Sequence, residues 1–167
     1  MESIGMPDTH FLSSALGWME LGNCAEAKHE LAKVSPTLAE HPTVLEVTWA
    51  VHAAEKDWAA ALAVADRLVA SAPDHANGWL HRAYAIRRAP GGGLQAAWDA
   101  LLGAVDRFPQ EATIPYNLAC YACQLSQLDE ARRWLQRAMA VGDKAKLKSM
   151  AISDSDLEPL WGEIKSL

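Results

Sequence analysis

Four alanines recur along the chain at a nearly fixed interval: Ala27, Ala61, Ala97 and Ala131 are separated by 34, 36 and 34 residues. Four residues beyond each stand Leu31, Ala65, Leu101 and Leu135, in the same rhythm. Two earlier registers keep it as well. Phe11, Leu45 and Trp79 form one, and Ala15, Trp49, Ala83 and Ala119 form the other, at 34, 34 and then 36. A period of this size marks one supersecondary unit copied along the chain, each copy too small to bury its own apolar face and so obliged to stack on the next. The two additional residues fall between Ala83 and Ala97, where Ala89-Pro90-Gly91-Gly92-Gly93 can lengthen a turn without disturbing a packed helix. The units are placed at about 8–41, 42–74, 75–110 and 111–143, with a C-terminal cap at 144–167, all in one repeat domain over 1–167.

Each unit reads as two helices joined by a short turn. Asn23, Asp57 and Asp74 carry short side chains that can accept from the unsatisfied amides of a helix start. Ser35-Pro36, Ala72-Pro73 and Phe108-Pro109 end the second helix of a unit, because the residue before proline is driven out of helical geometry. Gly142 takes that role in the fourth unit and is expected to close its helix in the left-handed conformation. The pattern predicts helices near 8–21, 24–34, 43–55, 58–71, 75–88, 94–107, 112–125 and 128–140, then a tail with helices at 144–151 and 156–165, capped by Asp154 or Ser155. Small alanines at the recurring positions let paired axes approach closely, while Leu31, Leu101, Leu135, Trp18, Trp58, Trp98 and Trp134 supply the bulk.

Composition narrows the function. Fifteen Lys and Arg against twenty-one Asp and Glu leave a net charge of −6 over 167 residues, so the chain has no general positive field to hold a phosphate backbone. Nucleic acid is therefore not an expected partner. The first residues lack a basic start followed by an apolar run, and even the alanine-rich stretch from Trp58 to Val69 contains Asp66 and Arg67, so neither a secretory signal nor a membrane span is expected. Cys24, Cys120 and Cys123 form an odd, sparse set that fits a reducing compartment, and the expected location is the cytoplasm.

The period, the paired helices, the small alanines, Pro73 and Pro109, and the segments Tyr116-Asn117-Leu118-Ala119 and Leu128-Asp129-Glu130-Ala131 together resemble the bacterial type of tetratricopeptide repeat (TPR) protein. The resemblance covers residues 8–141. The tail Ser153-Asp154-Ser155-Asp156-Leu157-Glu158-Pro159-Leu160-Trp161 is similar to one that follows the last repeat in many bacterial members. Trp49 departs from the pattern by filling a site that is usually small. The resemblance implies an all-α, right-handed superhelical solenoid of about four helix-turn-helix repeats. Its concave face, lined by the first helix of each unit, would bind a peptide or helix of a protein partner. Projected onto this sequence, the inward positions are Leu12, Leu16, Glu46, Ala50, Leu80, His81, Tyr84, Arg87 and Arg88, then Tyr116, Asn117, Cys120, Cys123 and Gln124. The polar and aromatic ones suit a peptide backbone with an acidic group, with an arginine fork on the carboxylate. Arg87 and Arg88 also complement the helix dipole where they stand, with or without a ligand.

Chemistry has few footholds. Cys120-Tyr121-Ala122-Cys123 has the spacing of a redox pair, but Cys120 lies more than a turn inside its helix, away from the N-terminal dipole that would lower its pKa. With His81 the pair lacks a fourth zinc ligand. Gly91-Gly92-Gly93 lacks the Lys-Ser/Thr ending of a phosphate loop. The expected function is a non-catalytic interaction module with no catalytic residue, metal or cofactor. A small redox or metal-dependent protein built on Cys120 and Cys123, and a self-associating scaffold, stand as alternatives, and the oligomeric state is left open.

Overall fold

A computed structural model describes residues 3–166, and all regular structure among them is helical. The chain gathers into two compact units, Met1–Pro90 and Gly91–Leu167. The first holds α1 (Asp8–Glu20), α2 (Cys24–Leu31), a 3-10 turn at Pro36–Leu38, α3 (Pro42–Ala54), α4 (Trp58–Ser71) and α5 (Ala76–Ile86). The second holds α6 (Leu94–Leu102), α7 (Thr113–Gln124), α8 (Leu128–Val141), α9 (Lys144–Ala151), a 3-10 segment at Ser155–Leu160 and α10 (Trp161–Ser166).

The periodic alanines lie where the helices cross. Ala15, Ala27, Ala61, Ala97, Ala119 and Ala131 are fully buried, and α1 packs on α2, α3 on α4 and α7 on α8. A methyl group is the largest side chain that leaves those axes close. Around them, Leu12, Val44, Val47 and Val51 fill one core, Leu45, Val64 and Leu68 a second, and Leu135, Leu157, Leu160 and Ile164 a third in the unit of α6–α10.

One backbone device makes three of the helix hairpins. After α1, α3 and α7 the chain enters the left-handed region at Gly22 (φ 75°), Lys56 (φ 60°) and Ser126 (φ 62°). The next amide in each case bonds back to a carbonyl five residues earlier: Asn23 to Trp18 at 2.8 Å, Asp57 to His52 at 2.9 Å, and Gln127 to Ala122 at 2.9 Å. This is the Schellman closure, and it satisfies carbonyls that the helix end leaves open. Asn23 and Asp57 then cap the following helix, accepting from Glu26 and Ala60 at 3.2 and 3.1 Å. Only Gly22 announces such a turn in the sequence, since left-handed backbone is ordinarily a glycine conformation.

Several boundaries depart from the sequence reading. The residue before α5 is His75, with no capping bond, rather than Asp74. Gly142 is extended (φ −102°, ψ −174°) rather than left-handed, and a Cβ there would stand 2.7 Å from Ala112 Cβ, so the close approach, not the backbone conformation, calls for glycine. Both α2 and α6 end early, at Leu31 and Leu102, and give way to turns before their prolines. The segment expected as a helix over 156–165 begins as a 3-10 turn because Pro159 sits inside it. Asp154 caps that turn as expected, accepting from the Asp156 amide at 3.0 Å.

Candidate peptide-binding face

The first helices of the first unit lie in the order α1, α3, α5, with α3 touching both neighbours. Their shared period places side chains in rows: Leu12, Glu46 and Leu80 form one, and Leu16, Ala50 and Tyr84 the next, each at 34-residue steps. In the second unit α7 carries the same rows 36 residues on, as Tyr116 and Cys120. The two units treat these rows differently.

In the first unit the outer row stays open. Leu16 is 45% exposed and Tyr84 40% exposed. Beside Leu16 lies a hollow of about 420 Å³, lined by Ile4, Leu12, Leu16, Thr43 and neighbouring polar groups. On α5 an aromatic stack forms. His81 lies flat on Trp49 (3.8 Å between centroids, 11° between planes), and Tyr84 meets Trp49 edge-on at 6.0 Å and Trp58 at 5.7 Å. Such pairs hold rings in fixed orientation beyond their area burial. Burial lowers the pKa of His81 and outweighs the opposing pull of Glu46, so the imidazole is held neutral against Trp49. Glu46 itself accepts from Asn77 at 3.0 Å.

Arg88 completes the stack. Its guanidinium lies 3.5 Å from the centre of the Tyr84 ring and 5.3 Å from that of Trp58, and it donates to the Tyr84 carbonyl at 3.1 Å. Arg67 pairs with Glu40 at 2.7 Å and Arg82 with Asp66 at 2.6 Å, whereas Arg88 has no carboxylate partner among the described residues. A guanidinium held by ring faces still offers its remaining in-plane N–H groups to a planar anion. Leu80 on α5 is half-buried, as is Arg87, which follows the helix because α5 ends at Ile86 rather than near residue 88.

In the second unit the rows are covered by the chain's own C-terminal segment. Tyr116 and Cys120 are buried, at 5% and 3% exposure. The Tyr116 hydroxyl donates to Asp154 Oδ2 at 3.0 Å, the Cys120 thiol approaches the same oxygen at 3.5 Å, and Gln124 Nε2 donates to the Asp156 carbonyl at 3.0 Å. Asn117 is half-buried one position away. Trp161 Nε1 bonds the Asp154 carbonyl at 3.1 Å, and Arg132 grips Glu163 through two bonds of 2.8 Å. Leu147, Leu157, Leu160 and Ile164 close the core beneath, while Met150 and Ile152 face water. The sequence names Tyr116, Cys120 and Gln124 as inward residues; what it does not reveal is that residues 154–156 meet them.

Ionisation follows from this cover. Burial first, and then the Cys120, Asp154 and Asp156 groups nearby, push the Tyr116 hydroxyl well above its ordinary range. Burial and Asp156 push the Cys123 thiol up too, the opposite of what a reactive thiolate needs. Folded Tyr116 keeps its proton where the unfolded residue, with a pKa of about 10, releases it, so its contribution to stability is fully present below about pH 10 and is lost as pH rises further. Stability is expected to fall by up to about 1.4 kcal/mol per pH unit above that point from this group. Tyr116→Phe should flatten the alkaline limb of a urea-denaturation series against pH. An unchanged slope would show that Tyr116 does not carry it.

No protein-family model matches the chain, and no curated protein matches it. Solved structures do. TTC0263, described as a thermophilic TPR protein in Thermus thermophilus, superimposes with a TM-score of 0.69 at 21% identity, over 94% of this chain and 82% of that one. A MamA structure, residues 41 to the end, from Desulfovibrio magneticus RS-1 gives 0.66 at 21% identity over 78% and 73%. A MamA RS-1 ArsTM double mutant gives 0.66 at 21% over 89% and 79%. With paired helices, buried alanines at the 34-residue positions and these likenesses, the chain has the fold of the tetratricopeptide repeat proteins.

Proposed function

We propose that this chain is a non-catalytic protein-interaction module that binds a peptide or helix of a partner on the face built by α1, α3 and α5. The observation that carries the reading is the contrast at one register: Leu16 and Tyr84 are open to solvent, whereas the equivalent Cys120 is closed by the chain's own tail. Exposed apolar side chains repeated at one register beside a hollow suit a binding surface. Leu12, Leu16, Glu46, Leu80, Tyr84 and Arg88 line this face, with His81 and Trp49 supporting Tyr84 from behind. Arg88 directs the choice of partner toward a segment with an acidic group. Tyr116, Cys120 and Gln124 serve the tail instead, and Cys120 and Cys123 act as packing thiols rather than a redox pair. No helix among the described residues is long and apolar enough to cross a membrane, and no group of three or more metal-ligating side chains gathers among them.

The test is selection of peptides from an unbiased display library on the intact chain, followed by affinity measurements on variants. Leu16→Glu and Tyr84→Ala are each expected to weaken the selected peptides at least tenfold, equivalent to about 1.4 kcal/mol. Peptides whose affinity ignores both substitutions would place binding elsewhere on the molecule.

A further inference from the structure

The tail held on α7 is a bound peptide in all but connectivity, and it shows what this helix register can hold. An aspartate side chain meets the hydroxyl of Tyr116, a backbone carbonyl two residues on meets the amide of Gln124, and Leu157 is fully buried next in sequence. The turn that presents them is closed by Asp154 capping its own Asp156 amide at 3.0 Å. In the first unit the positions 36 residues earlier are Leu80 and Tyr84 of α5, for Tyr116 and Cys120, and Arg88, in the turn just past the end of α5, for Gln124. The donor at the Gln124 position is thus kept but becomes a cation, and the hydroxyl moves one turn toward it.

We infer that the open face of α5 takes an acidic turn of the same kind as the chain's own Asp154–Leu157 segment, with its second carboxylate on the guanidinium of Arg88. This rests on the reading that the α1–α3–α5 face binds peptides and adds the shape and charge of the ligand. Charge complementarity argues for it. Arg88 is the cation of this face without a carboxylate partner among the described residues, and stacking over Tyr84 and Trp58 holds its fork in place before any ligand arrives. Pre-ordering of this kind reduces what a partner must spend in lost freedom on binding. A neutral amide at Gln124 suffices for a carbonyl; a guanidinium is matched to a carboxylate and forms the stronger, charge-assisted pair.

The probe is the synthetic peptide Ser-Asp-Ser-Asp-Leu-Glu-Pro-Leu, identical to residues 153–160, labelled with fluorescein and titrated into the intact chain. Saturable binding is expected, weakened at least tenfold by Arg88→Glu, less by Arg88→Lys, and at least tenfold when the peptide's second aspartate is replaced by asparagine. Added salt should weaken it as well. Thermal melts of the variants establish that each remains folded. Absence of saturable binding, or equal affinity in Arg88→Glu, overturns the inference. So does binding that depends on Tyr116 and Gln124 instead, because the peptide is then merely exchanging with the tail. If library peptides depend on Leu16 and Tyr84 yet show no acidic preference, the acidic-turn inference fails while the interaction face stands. If no peptide depends on that face, both fail.

Discussion

Removing residues 143–167 is expected to unfold the unit formed by α6–α8 and to drive the remaining chain into oligomers. The segment contributes Leu147, Leu157, Leu160 and Ile164 to the core around Leu135 and Ala131, each at 7% exposure or less. Burial of one such side chain is worth about 1.5–3 kcal/mol, so four give about 6–12 kcal/mol as an upper figure. Whole domains are stable by about 5–15 kcal/mol. The loss therefore reaches the entire margin of this unit. It also strips the cover from Tyr116, Cys120 and Cys123, creating an apolar face that seeks another copy. Circular dichroism melts should show the helical signal of the second unit missing or strongly shifted, and size-exclusion chromatography with light scattering should show larger species. A monomer that melts as the intact chain does would mean that the tail rests on the repeat without supporting it.

Leu45→Ala is the point substitution expected to cost most in the first unit. Leu45 is 1% exposed and packs with Val64 and Leu68, with Trp49 one turn along α3 leaning on the same cluster. Truncation of a buried leucine to alanine costs about 2–5 kcal/mol, part from lost transfer energy and part from the cavity left behind. Urea denaturation should show a lower midpoint with little change of slope. The substitution also removes the floor beneath Trp49, which holds His81 and Tyr84 in place, so peptide affinity at the open face should fall in a protein that is still folded. A loss under about 1 kcal/mol would mean that the core around Trp49 closes over the gap.

The repeat was readable from Ala27, Ala61, Ala97 and Ala131 because close helix crossings admit only a small side chain, and such a steric limit leaves its mark at fixed intervals. The helix hairpins were readable at Asn23 and Asp57, whose capping chemistry is local. The left-handed Lys56 and Ser126 were not, since hairpin closure there is imposed by the packing of α3 on α4 and α7 on α8 rather than by residue preference. Candidate face residues followed from the register of Leu12, Glu46, Leu80 and Tyr116, which is a matter of counting. Which of them would be open was hidden, because the cover on Tyr116 and Cys120 comes from Asp154 and Asp156, more than thirty residues away. Trp49 and Trp58 read as bulk filler; only their placement around Tyr84 and Arg88 reveals their second role. No periodic signal carries such an arrangement, since it arises from side chains on three different helices.

The division between an open first unit and a tail-covered second is tested most directly by amide and side-chain chemical-shift mapping on the intact chain, titrated with a library-selected peptide. The largest changes are expected at Leu16, Ala50, Tyr84 and Arg88 and at the indole of Trp49, with Tyr116, Cys120 and Gln124 unmoved. Changes concentrated at Tyr116, Cys120 and Gln124, with the α1–α3–α5 face silent, would contradict the account.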